Sequence, residues 1–546
     1  MPTYHVSPSG NAANPGTASQ PWTLAHAATG AGGTLASGDV VIMTGTFQLG
    51  TAPSYTLTVT SACAGVTFRG ASALPWQMPI LRGNLVIQAA NSVWRDFRQT
   101  WDYDTTRTTT QSGSSPTDVP RVAATFDPQA ANIQAINVIA HDLGGGFNAF
   151  SLSPGFQAHE CIAYNNGWNG SDRGHGHGFY MQSTATPSLP ADRKTVRGFV
   201  SFCNYGSNGK LGGSDAVSNL IGFRYDGCSF FDPGVPVRAQ HQPEPNFICD
   251  GASTRKGHVE MLNSSLWMRD GGYYDYSAAD APLSLWMGDN NEGANPLTID
   301  DVRIQGRVRV GNWASATVTD NSVTAGDDAL PWTLGRALVQ LSPTPSPYTK
   351  FTWDRNRYAH NGDARIMLPA STMQNLASWR TTTGYDANAT HTVGEFTGVE
   401  TQFVTSAVNP NRATVTVWNY DGATSIALDV SPLLRQGDMY ELYHVYDWVT
   451  TGTPTLSATY SGGTLSVPMS SKTPPTPQGG SALPALPNTF GVFVLLRTFT
   501  ATPSRSMRLD ESPLDWVPLD WYEPPSVTPP PAPGGYRLRR GPSGGQ

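Results

Sequence analysis

The densest group of chemically able side chains is Asp172, Arg173, His175, His177 and Tyr180, carried by the string Gly174-His175-Gly176-His177-Gly178-Phe179-Tyr180. On a strand, alternate residues share a face, so His175 and His177 would project together. Such a pair could bind a sugar, hold a metal, or serve as acid and base. A Gly-rich turn with exposed histidines is the plain alternative. Arg224-Tyr225-Asp226 reads as a strand with Arg224 and Asp226 on one face. Carboxyl groups roughly 5–9.5 Å apart can hydrolyse a glycosidic bond. Strands stacked about 4.8 Å apart can supply that spacing, as Asp226 could with Asp250 or Glu260. The expected catalytic set is therefore His177, Arg224 and Asp226, with surface ion pairing as the alternative for the latter two. A lyase would instead need a base and a group that neutralises a uronate, for which Lys210, Arg224 and Arg238 are available.

Trp267, Tyr273, Tyr274, Tyr276 and Trp286 form an aromatic-rich stretch with Asp270 and Asp275. Flat rings stack on sugars or anchor protein interfaces, and burial under a loop explains them equally. The expected ligand surface comprises Asp172, Arg173, His175, Tyr180, Trp267, Tyr273, Tyr274 and Trp286. No CxxC pair and no acidic calcium-binding string occurs, so neither metal nor cofactor is expected.

Short strands must position these residues. Val138-Ile139-Ala140-His141-Asp142-Leu143-Gly144 repeats 23 residues later as Cys161-Ile162-Ala163-Tyr164-Asn165-Asn166-Gly167. Phe199-Val200-Ser201-Phe202 repeats it again, after one intervening coil read through Gly178–Ser183. Periods of 20–30 residues mean a solenoid of stacked coils. Asn at the turns tolerates left-handed backbone and can form ladders between coils. Five cysteines, four of them between 161 and 249, read as small buried residues within those coils, with a disulfide between neighbouring coils as the alternative.

Composition agrees. Only 14% of residues are charged, and Gly (56) and Pro (43) are abundant, as many short strands and tight turns require. The net charge of −7 argues against nucleic acid as a partner, and no apolar run is long enough for a membrane span. The sequence opens at once on patterned residues without a secretory signal, so the expectation is that either a signal has been removed or the protein leaves its cell by another route, such as lysis.

Tyr4-His5-Val6-Ser7, Asn14-Pro15-Gly16-Thr17, Pro21-Trp22 and Gly38-Asp39-Val40-Val41 resemble the N-terminal cap of pectin-lyase-like right-handed parallel β-helix proteins. The segment 174–182 is similar to a coil motif of that superfamily. Trp379-Arg380-Thr381-Thr382-Thr383-Gly384-Tyr385-Asp386 resembles the junction that precedes a small β-sandwich in some bacterial members. Asn411-Arg412-Ala413, Trp418-Asn419-Tyr420-Asp421, Leu428-Asp429-Val430-Ser431 and Phe490-Gly491-Val492-Phe493 match that sandwich. The resemblance covers about residues 4–497. It implies a right-handed parallel β-helix followed by an antiparallel β-sandwich. With the residue patterning, the chain reads as all-β: a cap over 1–47 with a short helix at 20–28, the β-helix over 48–356, a connector over 357–397 with a helix at 371–380, the sandwich over 398–499, and a Pro/Gly-rich tail over 500–546.

Two functions follow as expectations. The narrowly favoured one is a bacteriophage virion surface protein, a decoration or tail-spike-like arm facing a host glycan. Tyr536, Arg537, Arg539 and Arg540 of the tail would then bind other virion proteins, with self-association a further option. The alternative is an extracellular polysaccharide-active enzyme, a glycoside hydrolase or a lyase. A β-helix that binds glycan without cleaving it fits either setting.

Overall fold

In a computed structural model, residues 1–184, 186–212, 219–237, 244–250, 256–269, 283–288, 296–324, 337–341, 347–360, 366–367 and 373–498 are described. They build a right-handed parallel β-helix with an antiparallel sandwich docked on one flank, together one compact unit over Met1–Thr498.

Each coil contributes one strand to each of three parallel sheets. One coil, for example, places Gln157–His159 in the first sheet, Ile162–Tyr164 in the second and Phe179–Met181 in the third. The first sheet starts at Thr3–Val6 and reaches Phe351–Asp354. The second runs from Thr46–Gln48 to Thr390–Val393, and the third from Thr56–Val59 to Ile366–Met367. Two longer strands, Val93–Thr100 and Gln134–His141, pass through the bend between the first and second sheets.

The 23-residue repeat is real: Ile139 pairs with Ile162 in register. The next repeat is not separated by an extra coil, however. Ile162 pairs directly with Val200, because Phe179–Met181 belongs to the third sheet of the same coil. That coil is longer because it carries an inserted hairpin, Trp168–Asn169 against Gly174–His175.

Inward residues alternate with outward ones and fill the bore with Val, Ile, Leu, Phe and four cysteines, Cys63, Cys161, Cys228 and Cys249, whereas Cys203 faces the sandwich; none of the five is in a disulfide. Turn asparagines form the expected ladders. Asn166 donates to Asn204 at 3.0 Å, Asn208 to Asn246 at 3.0 Å, and Asn321 to Asn356 at 3.0 Å. These bonds satisfy side-chain amides that would otherwise be buried without partners.

Both ends of the bore are plugged. At the start the helix is Leu24–Ala28, capped by the Thr23 side chain, and Trp22 stacks on Tyr4. At the far end the helix lies at Leu376–Thr383, later than expected, with Asn375 as its cap and Gly384 closing it at φ 74°. Trp379 and Tyr358 both donate to Asp386, and Asn356 extends its ladder to the same carboxyl. The sheet also continues past the expected limit at Asn356: Arg357–His360 and Thr390–Val393 are strands of the second sheet. The connector is thus the last coil of the solenoid, pinned through the Asn356–Asp386 contact.

The sandwich pairs a five-stranded sheet, ordered Val399–Thr405, Arg412–Asn419, Phe490–Thr498, Met439–His444 and Leu456–Thr459, with a two-stranded sheet of Ser425–Asp429 and Thr464–Pro468. One face of the larger sheet buries Val415, Val417 and Phe493 against the smaller one. Its other face meets the second sheet of the β-helix.

Candidate active site

The three sheets present different outward surfaces. The second is covered in its middle coils, where Ile139, Ile162, Val200, Tyr164, Phe202, Phe231 and Trp267 pack beneath the sandwich. Trp267 stacks on Phe490 at 5.1 Å and is 2% exposed. It is therefore no sugar platform: the ring is spent on holding the sandwich. Tyr273, Tyr274 and Tyr276 lie outside the described residues, as do Tyr536, Arg537, Arg539 and Arg540.

On the first sheet, Arg224 pairs with Asp226 at 3.2 Å and with Glu260 at 3.3 Å, while Arg193 also reaches Glu260 at 3.3 Å. These residues form the surface ion-pair row that was the alternative reading. His177 stands two residues before a third-sheet strand. The expected set of His177, Arg224 and Asp226 is thus divided between two sheets and does not assemble.

The His175–His177 pair also separates. His175 ends the inserted hairpin, buried against Trp168 (5.2 Å, 7° between planes) and bonded to Asp172 at 2.8 Å. This contact and backbone hydrogen bonds outweigh desolvation and bring the Asp172 carboxyl down to about 2. Gly176 then turns at φ 87°, where a Cβ would strike Gly167 and the Gly144 carbonyl. His177 consequently faces another way. Its Nδ1 accepts the Ser207 N–H at 3.1 Å, so the ring is neutral with hydrogen on Nε2. Burial, with Lys210 and Arg173 nearby, holds its pKa well below the ordinary value. A ring whose lone pair is already committed is a fixed donor, not a base.

What the third sheet does assemble around His177 is a polar cluster. Outward residues in register run Asn148, Tyr180, Lys210, Ile248, Trp286, Arg309 and Gln340. Tyr180 lies edge-on to His177 at 5.6 Å, and the Lys210 ammonium sits 5.7 Å from the Tyr180 ring centre. Lys210 pairs with Asp250 at 3.6 Å. Trp286 donates to the Gly288 carbonyl at 2.7 Å, and the Arg309 guanidinium lies over its ring at 4.6 Å.

Glu244 completes the group. It accepts from the Ser207 hydroxyl at 3.3 Å, with Arg173 3.9 Å away. Burial raises its pKa, a shift that Arg173 and Lys210 reduce and Asp250 increases. Sequence reasoning passed over Glu244 because Pro243 and Pro245 flank it and no strand period marks it. Among the described residues no group of three or more His, Cys, Asp or Glu side chains is placed to hold a metal.

No protein-family model and no curated protein matches this chain. Among solved structures it is similar to a rhamnogalacturonan lyase (14% identity over 69% of this chain and 86% of that one, TM-score 0.36). It is also similar to the A-module of a mannuronan C-5 epimerase of Azotobacter vinelandii (15% identity, 68% and 94% covered, TM-score 0.39). A pectate lyase gives 13% identity, 68% and 78% covered, and TM-score 0.36. The shared feature is the parallel β-helix, which the strand registers establish by themselves, and no residue or activity is carried across.

Proposed function

We propose that the protein is a polysaccharide-active enzyme of the glycoside hydrolase type, with its substrate lying on the outer face of the third sheet. The observation that carries this reading is Glu244: a partly buried carboxyl with a raised pKa, in the field of Asp250, whose own side chain is paired with Lys210. Two carboxyl groups in unlike surroundings are what acid-assisted glycoside cleavage requires. Glu244 holds the proton that the leaving oxygen takes up. Asp250 is the second carboxylate, acting on water or on the sugar. Tyr180 and Trp286 offer ring faces along the same row of coils, and the His177 Nε2–H is a fixed donor to a sugar hydroxyl.

The test is incubation with a panel of neutral and acidic polysaccharides, scored for new reducing ends and for the absorbance of unsaturated products. Glu244→Gln and Asp250→Asn are each expected to lower hydrolysis at least ~100-fold with little change in folding. Unsaturated products formed equally well by Glu244→Gln would replace hydrolysis with elimination. No release from any glycan would remove the enzymatic reading. The virion-surface reading draws no support from the described residues.

A further inference from the structure

The first sheet differs from the other two in how its charges are distributed. Its twelve strands, from Thr3–Val6 to Phe351–Asp354, stay in register, so two outward rows run the length of the solenoid. Along one row the first seven coils place Arg69, Arg95 and Arg197, and the last five place Asp226, Asp300 and Asp354. The other row is uncharged as far as Thr195 and then carries Arg224 and Glu260 side by side. One end of the face therefore holds three arginines and no carboxylate, and the other holds four carboxylates against one arginine.

These charges are partly open to solvent and are not consumed within the chain. Arg69 and Arg197 meet no carboxylate among the described residues, and Arg95 pairs with Asp96 at 2.7 Å. His5 and His159 of the same row stay neutral near pH 7, because burial and a neighbouring arginine hold both below the ordinary 6.5, His159 at about 4. At the other end Asp226 and Glu260 share Arg224, at 3.2 and 3.3 Å, and Arg193 lies 3.3 Å from Glu260. Asp300 and Asp354 are held by hydrogen bonds from the Thr319 hydroxyl and the Asn388 amide. Between the charges Ile42, Val93 and Leu262 are also partly open, so the face offers apolar contact as well.

We propose that the outer face of the first sheet binds a second copy of this chain, turned end for end, so that the arginine end of each copy meets the carboxylate end of the other. A face with opposite charges at its two ends is complementary to itself in that orientation and in a two-fold symmetric pair. The parallel orientation sets arginines against arginines, and like charges facing each other across an interface are costly. Twelve strands about 4.8 Å apart and about four residues wide cover roughly 700 Å², close to the ~800 Å² per partner of a standard stable interface. The pairing lies apart from the third-sheet cluster and does not depend on the activity proposed for it.

The full chain is followed by sedimentation velocity and light scattering over a concentration series at low and at high salt. It should form a dimer that high salt weakens at least tenfold, since partly open charges are screened. Arg69→Glu with Arg197→Glu makes both ends acidic, and Asp226→Lys with Asp300→Lys makes both ends basic. Each double variant should be monomeric alone, and an equimolar mixture of the two should restore a dimer. Thermal denaturation of each variant reports its folding. If a charge reversal fails to fold, Arg69→Gln with Arg197→Gln introduces no repulsion and should still weaken the dimer at least tenfold. A wild type that stays monomeric throughout overturns the proposal. So does a dimer that survives the reversals or the neutral pair unweakened, and so do folded variants whose mixture stays monomeric.

Discussion

The outward faces of the second and third sheets are built from the same coils, yet they differ in kind. Over the middle coils the second sheet presents Tyr164, Phe202, Phe231 and Trp267, rings in register from coil to coil and closed beneath the sandwich. The third sheet presents Tyr180, Lys210, Trp286 and Arg309, each at least partly open to solvent. A parallel solenoid leaves every outward row available, and the residue types show what each row meets. Continuous apolar rows require a protein cover, whereas rings alternating with cations and carboxyls suit a polar ligand.

Polar anchors at its margins hold the covered face. Arg269 pairs with Asp232 at 2.6 Å and also donates to the Ala485 carbonyl, and Arg107 links Asp142 to the Gln478 carbonyl in the same manner. On the other flank Arg412 donates to Asn137 at 2.5 Å and reaches Glu160. The largest effect should come from Asp232→Ala, which strands the Arg269 charge under the sandwich. Removing one partner of a buried pair costs about 3–5 kcal/mol. Urea denaturation should show that loss, and limited proteolysis should cut within 399–498 sooner than in wild type. A loss below about 1 kcal/mol would mean that the seam is wetter than its geometry indicates.

This contrast also separates what the sequence made legible from what it did not. Ile139 and Ile162, and the asparagines at the turns, are readable because stacking repeats one residue type at one place in every coil. The sandwich seam is not readable. Val200-Ser201-Phe202 and Ser229-Phe230-Phe231 are buried on both sides, so alternation disappears and the outward Phe202 looks like the inward Phe230. The grouping of His177 with Arg224 and Asp226 failed for a related reason. Distance along the chain does not reveal which sheet of a coil a strand joins, and the inserted hairpin at 168–175 hid the coil length. Glu244 reaches the site from outside any strand, three residues before Phe247–Asp250, where no period marks it.

Titration provides a second way to sharpen the comparison, because the covered side buries a neutral histidine at the sandwich end. His444 is held down to about 3 by burial and by Lys472, and its Nδ1 accepts the Tyr446 N–H at 3.2 Å. A folded pKa below the ordinary 6.5 means that the unfolded chain binds the extra proton first. Stability from this residue is therefore complete above pH 6.5 and falls as pH drops toward 3, by about 3 kcal/mol at pH 4. His444→Asn keeps a cap acceptor and cannot titrate. The gap between variant and wild type should close as pH falls from 7 to 4 in matched denaturation curves. A gap independent of pH would mean that His444 is solvated in the folded state.

Glu400 should matter less. It pairs with Arg303 at 3.1 Å and Arg357 at 2.7 Å at the half-open rim of the seam. Exposed pairs contribute about 0–1 kcal/mol, so Glu400→Gln should shift stability by less than about 1 kcal/mol, and less again at high salt. A loss comparable to that of Asp232→Ala would move the boundary of the dry seam outward to this rim.

Trp286→Ala should change stability least of these. The ring lies on the open row, and its loss uncovers Arg309 without leaving a cavity in the bore, because the inward neighbours Leu285 and Met287 stay in place. Surface changes of this kind usually stay within about 0.5 kcal/mol. Binding should respond where stability does not: a stacked ring at a sugar site contributes on the order of 1 kcal/mol, so affinity for any glycan retained by the wild type should drop about five-fold or more. Trp267→Ala should do the reverse, costing about 3–5 kcal/mol of folding, with glycan affinity unchanged in the fraction that remains folded. Affinity chromatography on immobilised glycan, read beside thermal denaturation, separates the two tryptophans. If both fell together in both assays, the two faces would not be independent, and the division between a covered and an open row of coils would have to be abandoned.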